Sequence, residues 1–279
     1  MKEQWQTVIS ADQKRVAIDL KELWRYKDLI GLYVKRSFKT IYQQTLLGPV
    51  WIVLSPLFTT IVFTVIFGNI AKIPTNSIPK FVFYMVGNTT WNLFSNNVSH
   101  NNNIFRTYSG LFDKVYFPRI IMPITTMVSS LLSYFIQFGM FLFFWAYFLV
   151  AGAYKPTLAM ILIPFLWIEI SILGTSIGLI VSSFTRRFRD LQIAVGFGLS
   201  LMMYVTPVVY PLSEAGGYFR LLLLINPMGP IIEIFRYAFF GSGTFELPFL
   251  LLGLVETIII CWLGLNLFSK TERMVMDTI

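Results

Sequence analysis

The stretch Ile121–Ala151 reads IMPITTMVSSLLSYFIQFGMFLFFWAYFLVA and contains no charged side chain. A helix needs about 20 predominantly apolar residues to cross about 30 Å of hydrocarbon. Because this stretch is longer than that and carries no charge, it predicts a membrane-spanning helix. The fold then depends on how many similar stretches accompany it.

Five further stretches meet or approach the length of a span. They are Gly48–Ala71, Phe81–Ser99, Leu158–Phe184, Leu191–Pro211 and Pro248–Phe268. Phe81–Ser99 is rich in asparagine, and we expect it to be buried in the bundle because asparagine is costly against lipid. The sequence therefore predicts an all-α integral membrane protein with six transmembrane helices.

The composition agrees with a membrane protein and excludes several other classes. Of 279 residues, 56% are hydrophobic and 13% are charged, with a mean hydropathy of +0.67. The net charge of +8 comes from basic residues between apolar runs, without an RNA-recognition or finger motif, so no nucleic-acid partner is expected. The single cysteine, Cys261, excludes an intramolecular disulfide. No metal site is expected, since His100 has no neighbour at ligand spacing.

The distribution of basic residues predicts the orientation. If the amino terminus is cytoplasmic, 17 of the 22 Lys and Arg residues fall on the cytoplasmic side, which is the side that short loops enrich in them. Both termini are then cytoplasmic, with an N-terminal segment 1–47, a transmembrane domain 48–268 and a tail 269–279. The charges in 1–47 argue against a cleavable signal peptide.

An amphipathic pattern precedes the first span. The apolar residues of this predicted interface helix recur at three- and four-residue spacing, and they include Tyr26, Leu29, Ile30, Tyr33 and Val34. The pattern predicts a helix on the cytoplasmic surface of the membrane. It leaves open whether the helix is only an anchor or also contacts a cytoplasmic partner.

Two loops between spans also carry helical patterns. In 100–119, an apolar face predicts a short cytoplasmic helix, which either docks on a partner or folds against its own bundle. Segment 212–247 is too long and too apolar for a simple connection. Its stretches Tyr218–Ile225 and Ile231–Phe240 flank a break at Asn226–Pro230, which predicts two re-entrant helices in the outer leaflet. Glu233 and Arg236 are three residues apart and can partly neutralise each other on one helix face.

Five short motifs resemble those of a known protein family. They are YQQTLLGPVW at Tyr42–Trp51, KVYFPR at Lys114–Arg119, FRDL at Phe188–Leu191, YVTPVVYP at Tyr204–Pro211 and NPM at Asn226–Met228. In this order they resemble the permease subunit of polysaccharide exporters of the ATP-binding-cassette class, which move lipopolysaccharide O-antigen, capsule or teichoic acid.

The resemblance implies an assembly of two permeases and two separate nucleotide-binding ATPase subunits in the bacterial cytoplasmic (inner) membrane, with a lipid-linked glycan as substrate. This chain lacks a Gly-x-x-x-x-Gly-Lys-Ser/Thr loop. No catalytic residue and no bound cofactor are therefore expected on it, and ATP and Mg are expected on the partner ATPase.

The resemblance also implies roles for particular residues. Coupling to the ATPase is assigned to the loop helix, with Tyr108, Leu111, Phe112, Asp113, Lys114 and Tyr116, and the interface helix adds a second contact. The substrate channel is assigned to aromatics beside spans one and five, because ring faces can contact sugars: Trp51, Phe58, Phe197, Tyr204 and Tyr210. The exit gate is assigned to the re-entrant pair, with Asn226, Pro227, Glu233 and Arg236.

Two other functions are compatible with parts of the pattern, and a third is opposed by it. The nearest is a drug or lipid exporter permease of the same superfamily. A proton-coupled secondary transporter would use Glu169 or Glu256, since ionisable groups inside spans are often functional. A membrane glycosyltransferase is opposed by the lack of a clustered acidic motif and of a sizeable soluble domain.

Overall fold

The computed structural model describes residues 20–42, 46–108, 110, 117–185 and 190–276, and every regular element within those ranges is a helix. The α-helices are α1 Leu20–Arg25, α2 Lys27–Tyr42, α3 Trp51–Phe63, α4 Lys80–Asn101, α5 Ile104–Thr107, α6 Ile121–Val150, α7 Ile163–Thr185, α8 Asp190–Val205, α9 Gly217–Ile225, α10 Met228–Phe240 and α11 Leu247–Met276. Tighter or wider helical turns at Gly48–Val50, Thr64–Ile70 and Leu158–Leu162 extend α3 and α7.

Four helical stretches of the described chain are long and apolar enough to cross a membrane. They are Gly48–Ile70, Ile121–Val150, Leu158–Thr185 and Leu247–Glu272. Each coincides with a predicted span. The last one extends the prediction, because α11 continues into the predicted tail as far as Met276.

Helix α4 lies at the centre of the bundle although it is too polar to qualify as a span by composition. The expectation that its asparagines face protein is met, since Asn88, Asn97 and Asn101 are all buried. The Asn88 amide donates to the carbonyl of Pro56 at 3.2 Å, and the Thr126 hydroxyl donates to Asn101 Oδ1 at 2.8 Å. These bonds satisfy polar groups that lipid could not, so they fix α4 against α3 and α6.

Small residues allow α7 to approach its two neighbours closely. A Cβ at Gly174 would lie 2.8 Å from the Phe94 carbonyl oxygen, and one at Gly178 would lie 2.6 Å from Asn101 Cβ. On the α11 side, a Cβ at Gly264 would lie 2.8 Å from the Ser176 carbonyl oxygen. Glycines spaced four residues apart are a common device for packing helices in membranes, and here they make α4, α7 and α11 the core of the fold.

Helix α8 is shorter than the predicted fifth span. The prediction ran to Pro211, but the helix ends at Val205 and contains no buried residue. Pro207 lacks a backbone N–H and disfavours helical geometry at Thr206, which accounts for the end of the helix there. At 16 residues, α8 is about 24 Å long.

Helices α9 and α10 meet at 90°. Both predicted half-helices are present, but the break is narrower than predicted, because α10 already begins at Met228. Pro230 is tolerated in the first turn of α10, where a helix does not need every backbone N–H. Gly241 ends α10 in the left-handed conformation, with φ of 68°, which a glycine adopts without strain.

Candidate functional site

One end of the bundle joins the interface helix to the start of the predicted coupling loop. Four predicted interface residues, Tyr26, Leu29, Ile30 and Tyr33, pack with Tyr108 around a buried core. The core consists of Ile104, Phe105, Phe117, Ile121, Met122, Leu179 and Phe268. We call these residues together the interface cluster. They connect α2 to α5, α6, α7 and α11, so a displacement of α2 would reach several helices at once.

Tyr108 lies in the interface cluster beside α2. Burial raises the pKa of its phenol, while the nearby Arg36 and a hydrogen bond with Ser37 oppose that shift. The hydroxyl is therefore directed toward α2. The other predicted coupling residues, Leu111, Phe112, Asp113, Lys114 and Tyr116, lie outside the described residues.

Four of the five predicted channel aromatics are exposed on α3 and α8. They are Trp51, Phe58, Phe197 and Tyr204. Tyr204 approaches the extension of α3, with 6.5 Å between its ring centroid and that of Phe67. Tyr210 is half-buried after the end of α8, where its ring centroid lies 6.1 Å from that of Phe219 and its hydroxyl donates to the Tyr204 carbonyl. The structure thus brings the end of α8 beside the extension of α3 at the Tyr204–Phe67 contact.

The bend between α9 and α10 is built by Asn226, Pro227 and Gly229. The Asn226 amide donates to Thr206 Oγ1 at 3.0 Å, and Asn226 Oδ1 accepts from the backbone N–H of Met228 at 3.1 Å. That second bond satisfies one of the free donors at the start of α10. A Cβ at Gly229 would lie only 2.0 Å from the Leu223 carbonyl oxygen, so the bend requires glycine there.

The Glu233–Arg236 pair fastens α10 to the segment after α8. The two side chains are 1% exposed, with 2.7 Å between Arg236 Nη1 and Glu233 Oε1. Arg236 also donates to the carbonyls of Val208 at 2.8 Å and Tyr210 at 3.3 Å. Its guanidinium carbon lies 3.8 Å from the centre of the Phe83 ring of α4, a cation–π contact. The predicted gate pair is thus a buried connection between α10, α4 and the loop before α9.

Glu233 completes this connection through its two carboxylate oxygens. Oε1 accepts from the backbone N–H of Leu212 at 3.2 Å, and Oε2 accepts from the backbone N–H of Thr244 at 3.3 Å. The partners of the pair include four backbone groups, which no pattern in the sequence indicates. Glycine at Gly87 of α4 permits the close approach of this segment, since a Cβ there would lie 3.0 Å from the Val208 carbonyl oxygen.

Glu169 and Glu256 occupy different environments in α7 and α11. Glu169 is buried and lines a groove of about 560 Å³ between these helices, whereas Glu256 is half-buried. The ion pairs within the described ranges join Arg220 to Glu246 and Arg236 to Glu233. Neither intramembrane glutamate of the proton-coupled alternative therefore belongs to a charged chain in that part of the molecule.

The apolar helices, the polar central helix and the bent helix pair define a multi-pass membrane protein. The chain belongs to the ABC-2 type transporter family, which it matches over residues 28–240. That range begins in α2 and ends with the last residue of α10, so it contains the interface helix and the bend.

Relatives match nearly the whole chain. The O-antigen export system permease protein RfbA of Myxococcus xanthus is 25% identical over 265 residues, which cover 93% of this chain and 98% of that protein. A Klebsiella pneumoniae protein of the same name is 25% identical over 247 residues, covering 88% and 92%. The polysialic acid transport protein KpsM of Escherichia coli is 24% identical over 246 residues, covering 87% and 93%. The resemblance predicted from the short motifs is confirmed.

Proposed function

We propose that this chain is the permease subunit of an ATP-driven exporter that moves lipid-linked polysaccharide, such as O-antigen, capsule or teichoic acid, across the bacterial cytoplasmic membrane. The observation that carries the proposal is the match to an O-antigen permease over 93% of the chain and 98% of the relative. The match thus extends over nearly the full length of the relative rather than over a short shared segment.

In the proposed arrangement the chain crosses the membrane six times, with both termini in the cytoplasm. The four apolar spans are joined by α4, whose polar residues are buried in the bundle, and by α8 with the segment that follows it. Helices α9 and α10 enter and leave the outer leaflet. Their 90° bend supports this, because a single straight span could not accommodate it.

The substrate conduit is proposed to form between two copies of the chain, along α3 and α8. Helix α8 has no buried residue, so its apolar surface needs a covering of lipid or of a second copy. Exposed aromatics on both helices offer faces on which sugar rings can lie. The Glu233–Arg236 pair holds the bent helices over the end of this surface, where they close the exit.

ATP and Mg are proposed to bind two partner ATPase subunits, and this chain performs no chemistry on the substrate. The ATPases would contact α2 and the loop that follows α5. Binding of ATP favours one arrangement of these subunits, and the interface cluster passes that preference to α6, α7 and α11. The transport step is then a coupling free energy between two arrangements of the same helices.

Replacing Phe197 by alanine should slow export severalfold without changing the folded structure. Phe197 is 66% exposed on α8, so its loss removes an aromatic face from the proposed conduit but little internal packing. The measurement is ATP-dependent uptake of a fluorescent lipid-linked polysaccharide by inverted vesicles that contain the partner ATPase.

Phe165→Ala is the matched control, because Phe165 is 68% exposed on α7 and borders the groove between α7 and α11. Export close to wild type is expected for this variant. An equal loss of export in both variants, or no loss of export in Phe197→Ala, would show that α8 does not line the conduit.

A further inference from the structure

An apolar trough with a basic rim lies between α2, the beginning of α3 and the middle of α6. It has a volume of about 910 Å³. Its rim carries Lys35 and Lys39 of α2, and its floor includes Ile52 of α3 with Leu132, Phe135 and Ile136 of α6. We call it the α2 trough. Pockets of about 300–1,000 Å³ accommodate organic ligands, so the volume exceeds what a simple ion requires.

The length of α6 places the trough at the membrane surface. At 30 residues, α6 is about 45 Å long, whereas the hydrocarbon is about 30 Å thick. Residues 121–131 of α6 are buried or half-buried, and exposed side chains begin at Leu132. The lipid-facing part of α6 therefore starts at the trough, and its floor lies at the edge of the hydrocarbon.

Neither rim lysine belongs to an ion pair among the described residues. Lys35 and Lys39 are both exposed and lie one helical turn apart, so they share a face of α2. The ion pairs of the described residues involve Arg220 and Arg236 rather than either lysine. Two unneutralised ammonium groups at the level of lipid headgroups attract anionic lipid.

We infer that the α2 trough binds an anionic phospholipid of the adjacent leaflet, with its phosphate at Lys35 and Lys39 and an acyl chain on the floor. Both halves of the site favour this occupant, since a free phosphate would leave the apolar floor empty and a neutral lipid would leave the lysines unpaired. The inference rests on the proposed function only in placing α2 at the membrane surface. A lipid bound there joins α2 to α3 and α6, and so stabilises one position of the interface helix.

The test is native mass spectrometry of the purified full-length chain with phosphatidylglycerol and with phosphatidylcholine of the same acyl chains. Wild type is expected to prefer phosphatidylglycerol. A basic residue at an anionic lipid surface contributes about fivefold in binding. The double variant Lys35→Ala/Lys39→Ala should therefore lose about thirtyfold in phosphatidylglycerol affinity, with phosphatidylcholine binding unchanged.

Two further variants distinguish lipid binding in the α2 trough from general electrostatic attraction of lipid to α2. Lys27→Ala removes the same charge from the same helix, where Lys27 lies over the Trp24 ring rather than at the trough, and it should keep the lipid preference. Ile136→Trp fills the floor at a position that is already 42% exposed, and it should weaken binding of both lipids.

Three results would overturn the inference. They are an unchanged preference in the double lysine variant, an equal loss in Lys27→Ala, and unchanged binding in Ile136→Trp. Displacement of phosphatidylglycerol by a lower concentration of a lipid-linked glycan diphosphate would also overturn it, by assigning the trough to the substrate. The binding measurement needs no ATPase, so its result can be interpreted even if the chain does not export polysaccharide.

Discussion

Replacing Arg236 by alanine should lower the free energy of unfolding by about 3–5 kcal/mol, the usual cost of removing one partner from a buried ion pair. Glu233 would keep a carboxylate that is 1% exposed without its cationic partner. The carbonyls of Val208 and Tyr210 would also lose a donor. Export should be lost with stability, because α10 would no longer be fastened to the segment after α8. Unfolding titrations in mixed micelles measure the first effect and vesicle uptake measures the second.

The same helix pair offers a control for this prediction. Arg220 of α9 pairs with Glu246, but its side chain is 42% exposed, and exposed pairs contribute about 0–1 kcal/mol. Arg220→Ala should therefore remain close to wild type. The charge-free double variant Glu233→Gln/Arg236→Met should be more stable than Arg236→Ala, because it leaves no unpaired buried charge. Equal stability of Arg236→Ala and Arg220→Ala would contradict the role given to the buried pair.

Replacing Gly229 by alanine should destabilise the chain by about 1–3 kcal/mol or more, the range for overpacking a close contact. The added Cβ would lie 2.0 Å from the Leu223 carbonyl oxygen. This oxygen belongs to the backbone of α9, so relief requires α9 and α10 to separate rather than a side chain to rotate. The 90° bend would open, and export should fall more than the loss of stability alone accounts for.

Gly139→Ala in α6 is the matched control, since a Cβ at Gly139 meets nothing within 4 Å and α6 does not line the proposed conduit. Alanine favours an exposed helix over glycine by about 1 kcal/mol, so this variant should be as stable as wild type or slightly more stable. Unfolding free energies and uptake rates of the two variants are compared in the same micelles and vesicles. A Gly229→Ala protein that matches Gly139→Ala in both would contradict the geometry of the bend.

The apolar spans and the bent pair were predictable because their signals are local. The stretch Ile121–Ala151 is long, apolar and uncharged, which predicts a spanning helix. The Pro and Gly residues at Asn226–Pro230 interrupt a helix that would otherwise continue through them. The residues at which the helices begin and end were less predictable. The end of α8 at Val205 reflects how Pro207 acts on Thr206, and the pattern of hydropathy does not register that effect.

Contacts between distant segments could not be predicted from the sequence. The spacing of Glu233 and Arg236 indicated an ion pair, but the backbone groups of Val208 and Leu212 that surround it carry no sequence signal. The amphipathic pattern of α2 likewise predicted a helix on the membrane surface, but it did not indicate that Tyr33 packs with Tyr108 in the interface cluster. Hydrophobic periodicity identifies an apolar face, but it does not say whether lipid or protein covers that face.

Export by reconstituted vesicles distinguishes an ATP-driven polysaccharide exporter from a drug exporter and from a proton-coupled transporter. Inverted vesicles containing this chain and its partner ATPase are supplied with ATP and either a lipid-linked polysaccharide or a hydrophobic drug, with and without a proton gradient. We expect uptake of the polysaccharide that requires ATP hydrolysis and persists after the proton gradient is collapsed. Uptake that stops with the gradient and continues with a catalytically inactive ATPase, or uptake of the drug alone, would contradict the proposed function.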